Sequence, residues 1–537
     1  MEFNLATLLE SVVDGAPERE AVVCGDTRLT YQELEERANR FAHMLREQGV
    51  GPGDHVGLYL YNGPEFLEAM YGTLKVRAVP ININYRYVED ELVYLFNDAD
   101  LRVVVFNQEY APRVAAICAQ VPTLRHYVYV SDTSDAPVNS FNGVPGVEYE
   151  ATLASFLPVR DFEERSGKDI FIVYTGGTTG MPKGVMWEHE DLFFAGLQGG
   201  NPGGDPIERA EELGENVANG MTMGITFLPT APFIHGNAQW SALIGWFGAG
   251  KVVVIPGPAF DAVKVCQAVV KEEINTITLV GDAMARPLAD ELKRGSYDTS
   301  SMMVIASAGA ILSDAVKEEL QEILPDAMIL NNFGATETGH QGTSFEDSAT
   351  GRPTFVMDES NKVLDEQRKP MAPGTGAVGL LARRGRLPVG YYNDPEKTAR
   401  SVVDIDGERW VITGDMATLE EDGQITVMGR GAVCINTGGE KVFPEEVEEG
   451  LKAHPGVMDC LVVGVPDDKW GQRVAAVIQP REGITLSDEE LIEHCRSKVA
   501  GYKVPREYHS VSAIVRQPSG KPDYKWAKTV VSGEVQA

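Results

Sequence analysis

Little in this chain suits a membrane or the outside of a cell. No apolar stretch among its 537 residues approaches the roughly 18 needed to cross a bilayer, so no membrane span is expected. The opening Met1-Glu2-Phe3-Asn4 lacks the basic-then-apolar pattern of an export leader, and a cytoplasmic location is expected. Six cysteines (Cys24, Cys118, Cys266, Cys434, Cys460 and Cys495) lie scattered, with no close pair resembling a metal clip. That spacing fits reduced thiols. Positive charge is also scarce: 47 Lys and Arg against 79 Asp and Glu give a net charge of −32. A surface this acidic repels nucleic acid and anionic lipid, which removes both as expected partners. Its simpler meaning is solubility. Internal repeats and low-complexity tracts are missing too. What remains is a soluble globular composition, 43% hydrophobic and 23% charged, in a chain long enough for two or more folding units.

The first half alternates helical and strand patterns. Residues 31–41 carry helical spacing, with Thr30 as N-cap and Glu33 completing a capping box. Residues 54–60 read as a strand, 65–75 as a helix and 102–106 as a short buried strand. This rhythm predicts parallel sheets with crossover helices. It returns at 251–255, in a helix from Asp261, and at 276–280, which ends in Gly281-Asp282. Residues 304–306 then run into Ser307-Ala308-Gly309-Ala310. Open α/β sheets bind ligands beyond the carboxyl ends of their strands, so these glycine-bearing ends are candidate floor for a site. From about Gly374 short strands and glycine turns predict a small β unit. Residues 429–444 are glycine-rich and read as a hinge. A compact α/β tail follows, with a helix at 445–452, a strand at 459–463 and a helix at 488–499.

Five segments carry candidate chemistry. Tyr174-Thr175-Gly176-Gly177-Thr178-Thr179-Gly180-Met181-Pro182-Lys183-Gly184 follows an apolar run. Glycines let backbone N–H groups crowd round phosphate oxygens, threonines donate further bonds and a lysine neutralises charge. It is not a Walker loop, because Pro182 and Gly184 stand where that pattern needs Gly and Ser or Thr. A flexible surface turn is the alternative. In Asn332-Phe333-Gly334-Ala335-Thr336-Glu337-Thr338 a carboxylate after a tight turn suits Mg²⁺ held against phosphate, or is an acidic surface turn. Asp415, in Thr413-Gly414-Asp415, suits the two hydroxyls of a ribose, or is an ordinary turn aspartate. Arg430 suits ribose or phosphate in a forked geometry, or caps a loop. Gly438-Gly439-Glu440-Lys441 offers close backbone approach to a second substrate, or linker flexibility. Lys521, in Pro518-Ser519-Gly520-Lys521-Pro522, suits charge developing on a carboxylate and an α-phosphate, or solvates a surface.

Taken in order with His235-Gly236, Ser307-Ala308-Gly309-Ala310 and Gly429-Arg430, these segments resemble the adenylate-forming superfamily of acyl-CoA synthetases, luciferases and peptide-synthetase adenylation domains across essentially the whole chain. Residues 181–187, 281–287, 435–444 and 501–505 are similar to one branch, the bacterial acyl-CoA synthetases of sterol side-chain degradation, which activate steroid carboxylates. The resemblance implies an α/β fold. Its large N-terminal domain (1–429) would hold two αβ-layered sheet subdomains and a small β-barrel-like one, and a small mobile α+β C-terminal domain (430–537) would hinge at about 430–433. It implies ATP, Mg²⁺ and coenzyme A, and two half-reactions: a carboxylate attacks the α-phosphorus of ATP, then CoA thiol displaces AMP.

By that resemblance Thr175, Gly176, Gly177, Thr178, Thr179 and Lys183 hold the β- and γ-phosphates, Glu337 binds Mg²⁺ and Thr336 touches the α-phosphate. Asp415 and Arg430 grip the ribose. Ala308, Gly309, Asn332, Phe333 and Gly334 line the adenine slot, and Lys521 serves adenylation. Gly438, Gly439, Glu440 and Lys441 meet CoA, with Lys441, Arg473 or Lys503 as candidates for its phosphates. His235, Gly281, Gly309 and Gly334 form the acyl pocket, although His235 also reads as a packed core histidine. The chain departs from the family at Ala432, Phe333, Ala308 and Ile435, none of them a charged catalytic group. No carrier domain follows Lys521, so a diffusible thiol is the expected acceptor, and a homodimer stays open. The expected activity is acyl-CoA ligation on a bulky apolar acid. Alternatives are a medium- or long-chain fatty acid ligase, a non-catalytic acyl- or nucleotide-binding protein, and a luciferase-like oxygenase.

Overall fold

The computed structural model describes residues 2–175, 181–310, 312–344, 354–437, 440–467, 470–517 and 520–534. They fall into two compact units, Met1–Thr278 with Ala335–His340 and Arg386–Val402, and Leu279–Gly334 with Gln341–Gly385 and Val403–Ala537. No helix among the described residues is long and apolar enough to cross a membrane.

In the first unit, Thr30 caps the helix Tyr31–Glu47 through the capping box the sequence predicts, its hydroxyl accepting from Glu33 N–H while the Glu33 carboxylate accepts from Thr30 N–H. A five-stranded sheet runs Val79–Asn82, His55–Tyr59, Leu101–Asn107, His126–Val130, Val147–Glu148, every pair parallel. Parallel strands need crossovers, and the helices Pro64–Lys75, Glu89–Asp98 and Ala111–Ile117 supply them. The strand Leu101–Asn107 is almost wholly buried because its sheet is covered on both faces, which explains its run of valines. A separate antiparallel trio is Gly390–Tyr391, Lys183–Glu188, Ile170–Thr175. The apolar run at 251–255 keeps strand geometry only over Val252–Val253.

In the second unit the strand Val304–Ala308 lies parallel to Met328–Ala335, with Ala308 opposite Asn332. An antiparallel meander of Asn361–Leu364, Gly379–Arg384, Glu408–Leu419 and Ile425–Arg430 packs around Val363, Leu381, Ala417 and Ile425, the small β unit expected. Much of the stretch read as a hinge is ordered, since Ile435–Thr437 and Glu440–Val442 pair at the edge of the tail sheet. That sheet has its two longest strands, Val457–Asp467 and Gly471–Pro480, buried on both faces. Val462, Val474, Ala476 and Ile478 meet the helices Pro444–Lys452 and Asp488–Lys498 through Val447, Leu451, Leu491 and Cys495. The alternate residues Leu461, Val463, Ala475 and Val477 meet Ala527 and Val530 of the helix Tyr524–Val531. Period-two alternation thus serves two cores at once, and polar residues have no place in the run.

Candidate active site

The strand Ile170–Thr175 turns back into Lys183–Glu188 as a hairpin, with Thr175 opposite Lys183. The glycine- and threonine-rich segment therefore connects two strands, unlike a Walker loop, which leads from strand to helix. Gly176, Gly177, Thr178 and Thr179 lie outside the described residues. Lys183 Nζ stands 3.5 Å from Asp98 Oδ1, 3.5 Å from Asp394 Oδ2 and 5.3 Å above the Tyr94 ring. Burial alone would lower the pKa of this ammonium, but Tyr94, Asp98 and Asp394 outweigh it and hold the pKa raised. At that length and partial exposure each ion pair is worth ~0.2–1 kcal/mol, little enough for a polyphosphate to displace.

Glu337 belongs to the same unit. Its Oε1 accepts from the Tyr391 hydroxyl at 2.9 Å, and Tyr391 sits opposite Val185, two residues beyond Lys183. One residue earlier, the Thr336 carbonyl accepts from Trp187 Nε1–H at 2.8 Å, and Trp187 is fully buried. Thr338 closes the turn by accepting from Ala335 N–H through its hydroxyl. The carboxylate is thus fastened to the strand that carries Lys183. No group of three or more His, Cys, Asp or Glu side chains is placed to hold a metal ion among the described residues. A single oriented carboxylate is nonetheless what Mg²⁺ needs when nucleotide phosphates and water complete its shell, and Glu337 fits that donor set.

His235 is the N-cap of the helix Gly236–Phe247 and is half-buried. The loop before it is held by buried asparagines. Asn82, at the carboxyl end of its strand, donates to Tyr174 O at 2.8 Å and Ile234 O at 2.6 Å, and accepts from Tyr174 N–H. Asn62 donates to Ala231 O and accepts from Phe233 N–H. Asn82 therefore ties the end of the strand Ile170–Thr175 to the residue beside His235.

The second unit gathers the remaining residues. Asp415 and Arg430 face each other on adjacent strands, Arg430 Nε 3.5 Å from Asp415 Oδ1, and the Thr413 hydroxyl donates to Asp415 Oδ2. The segments expected to line the adenine slot are neighbours in register, Ala308 against Asn332. The Asn332 side-chain oxygen accepts from the Thr343 hydroxyl at 2.7 Å, and the Phe333 ring packs on Phe355 with centroids 5.3 Å apart. Gly309 has φ +85°, a conformation that glycine adopts at no steric cost. Val280 is the common neighbour of three predicted site segments. It precedes Gly281, its Cγ1 is 3.9 Å from where a Gly309 Cβ would lie, and the same atom is 3.0 Å from a Gly520 Cβ. Gly520, the buried residue before Lys521, thereby lies against Val280, and Gln517 N–H donates to Lys521 O at 2.9 Å.

The residues proposed for CoA fare differently. Gly438 and Gly439 lie outside the described residues, and Glu440 and Lys441 are exposed on an edge strand. Arg473 is committed to Glu507 at 3.0 Å and Lys503 to Glu446 at 2.6 Å.

Beside Asp415 and Arg430 is a carboxyl that composition does not single out. Glu445 Oε2 is buried without a hydrogen-bond partner and would lie 2.4 Å from a Gly429 Cβ. Burial first, then the charges of Glu448 and Asp415, push its pKa up to about 8. A raised carboxyl favours the folded state while protonated. The advantage is complete below the unfolded pKa near 4.5 and is lost as pH climbs through 8. Glu445→Gln is therefore expected to exceed the wild type in stability by on the order of 2 kcal/mol at pH 9 and to match it at pH 4.5, read as thermal midpoints across that range.

Asn82, Asp98, Tyr391 and Asp394 went unpredicted, because their partners are 92 or more residues away for Asn82 and 54 for Tyr391. Only the position of Asn82 at a strand's carboxyl end gave a signal.

Residues 9–392 match the AMP-binding enzyme family and residues 446–521 the AMP-binding enzyme C-terminal domain. The chain is 44% identical to a 3-oxocholest-4-en-26-oate–CoA ligase of Rhodococcus rhodochrous, covering 98% of this chain and 96% of that one. It is 46% identical, with the same coverage, to a medium/long-chain-fatty-acid–CoA/3-oxocholest-4-en-26-oate–CoA ligase of Mycobacterium marinum. The crystal structure of the anthranilate CoA ligase AuaEII with anthranoyl-AMP superposes with a TM-score of 0.83 at 22% identity, over 99% of this chain and 98% of that one, which establishes the shared fold.

Proposed function

The chain belongs to the AMP-binding enzyme family, and on that premise we propose that it is an ATP-dependent acyl-CoA ligase for a bulky apolar carboxylate, a steroid side-chain acid first. The carboxylate oxygen attacks the α-phosphorus of ATP, the bond to pyrophosphate breaks and an acyl-adenylate forms. CoA thiol then attacks the acyl carbon and AMP leaves with the electron pair of the acyl–oxygen bond. The obstacle in the first step is bringing two anions together, which is work for cationic side chains and oriented dipoles.

The seating of the Lys521 loop on Val280, next to Gly281 and Gly309, carries this reading. It would put an ammonium where the acid and the α-phosphate meet. Lys183 would neutralise the outer phosphates after exchanging Asp98 and Asp394 for them. Asp415 would accept from the ribose hydroxyls, with Arg430 balancing its charge. Glu337 would hold Mg²⁺, which when bound neutralises phosphate oxygens. In the second step the C-terminal domain, residues 430–537, would turn about residues 430–433 and present Gly438 and Gly439 to the pantetheine arm.

Near-full-length identity to relatives named for 3-oxocholest-4-en-26-oate supports a steroid acid. A medium- or long-chain fatty acid is the second reading, favoured by the double name of the Mycobacterium marinum relative. Pyrophosphate release measured with steroid carboxylates and with straight-chain acids decides between them. Turnover with sterol acids at equal or higher kcat/KM is expected. Reaction with linear acids alone would leave the enzyme class and remove the steroid.

A further inference from the structure

The helix Asp282–Arg294 turns one charged stripe toward the tail. Asp282, Arg286 and Asp290 are spaced four apart and so share a face. Asp282 and Arg286 both meet Lys452, and Asp290 meets Arg481. Asp282 Oδ2 is 3.6 Å from Lys452 Nζ, both side chains nearly inaccessible. Arg286 donates to the Lys452 carbonyl at 3.3 Å, and Asp290 accepts from Arg481 at 2.9 Å. On the lobe's side the charges continue inward. Lys452 lies 3.6 Å from Asp459 as well, and Asp459 takes both arms of Arg516 at 2.7 and 2.8 Å. Arg516 in turn donates to the Gly520 carbonyl at 3.1 Å, one residue before Lys521.

We propose that Asp282, Arg286 and Asp290 form a docking stripe that holds the C-terminal lobe where Lys521 can serve adenylation. This rests on the ligase reading above. Lys452 buried between two carboxylates keeps its charge, since Asp282 and Asp459 outweigh the cost of burial. Without Asp282 that cation is left with Asp459, which Arg516 already engages, as its ion-pair partner, and the docked arrangement loses stability against any other. The stripe touches neither reacting atom. Its residues are positioning residues acting through Lys452, Asp459 and Arg516 on the Gly520-Lys521 turn.

Asp282→Asn tests this with little risk to folding, because Asp282 Oδ1, which accepts from Ser313 N–H at 2.8 Å, is retained. Asp290→Asn, at a partly exposed pair, is the second variant. Each is expected to slow acyl-adenylate formation, followed as pyrophosphate release, by about tenfold at Asp282 and less at Asp290, with the adenylate-plus-CoA half-reaction unchanged or faster. Lys452→Met should give the same split, and Asp282→Asn added to it little more. Amide hydrogen exchange at Gln517 and Gly520 should quicken in both Asp variants, whether or not acid is present. Equal slowing of the two half-reactions, or unaltered exchange at that turn, overturns the stripe. A wild-type chain that releases no pyrophosphate with any acid overturns the ligase reading instead, and the exchange measurement still decides the docking.

Discussion

Replacing Lys521 by Ala is expected to cut acyl-adenylate formation by on the order of 10²–10³-fold, the usual loss when one preorganised charge is removed from a developing anion. Thioester formation from synthetic adenylate and CoA should stay within about threefold of wild type, because that step does not use the side chain. Lys521 is exposed, and its backbone carbonyl accepts from Gln517 N–H while Arg516 donates to the Gly520 carbonyl. The measurement is a pair of single-turnover assays, one started with ATP and acid, the other with adenylate. If both halves slow alike, Lys521 shapes the protein and does not act on the first step.

Asp415→Ala should lower kcat/KM for ATP by roughly 10²-fold, equivalent to losing a charge-assisted hydrogen bond or two. Asp415 is buried, faces Arg430 across a strand pair and takes the Thr413 hydroxyl on its other oxygen. The carboxylate is held by strands on both sides, so its bonds to a ribose would cost little further ordering. The decisive comparison is between ATP and 2′-deoxyATP. The wild type should discriminate strongly, and the variant should treat the two nucleotides nearly alike, since it has lost the acceptor that distinguishes them. Unchanged discrimination would move ribose recognition elsewhere. Asp415→Asn, which keeps one acceptor oxygen, should fall between.

Local signals were legible from residue order. The capping box of Thr30 and Glu33, the aspartate cap at Asp261 and the doubly buried strand around Val462 depend on side chains and backbone within a few residues, or on period-two alternation. Lys183, Glu337, Asp415, Arg430 and Lys521 were singled out by the residue types around them, and their roles remain what the expected ligase activity would ask of them. Within residues 429–444, read as a hinge from their glycines, Ile435–Thr437 pairs with Gly471–Pro480, a partner strand that composition does not announce.

Residue order by itself therefore determined the candidate groups and those regular elements that arise from short-range bonding and periodicity. Only the tertiary structure decided what those groups face. It set Lys183 between Asp98 and Asp394, hung Glu337 from Tyr391, opposed Asp415 to Arg430 and laid the Lys521 turn on Val280. Each of these is a contact between distant stretches of chain. Its energy depends on strand register and on how a lobe docks, and neither is written in any single stretch of residues.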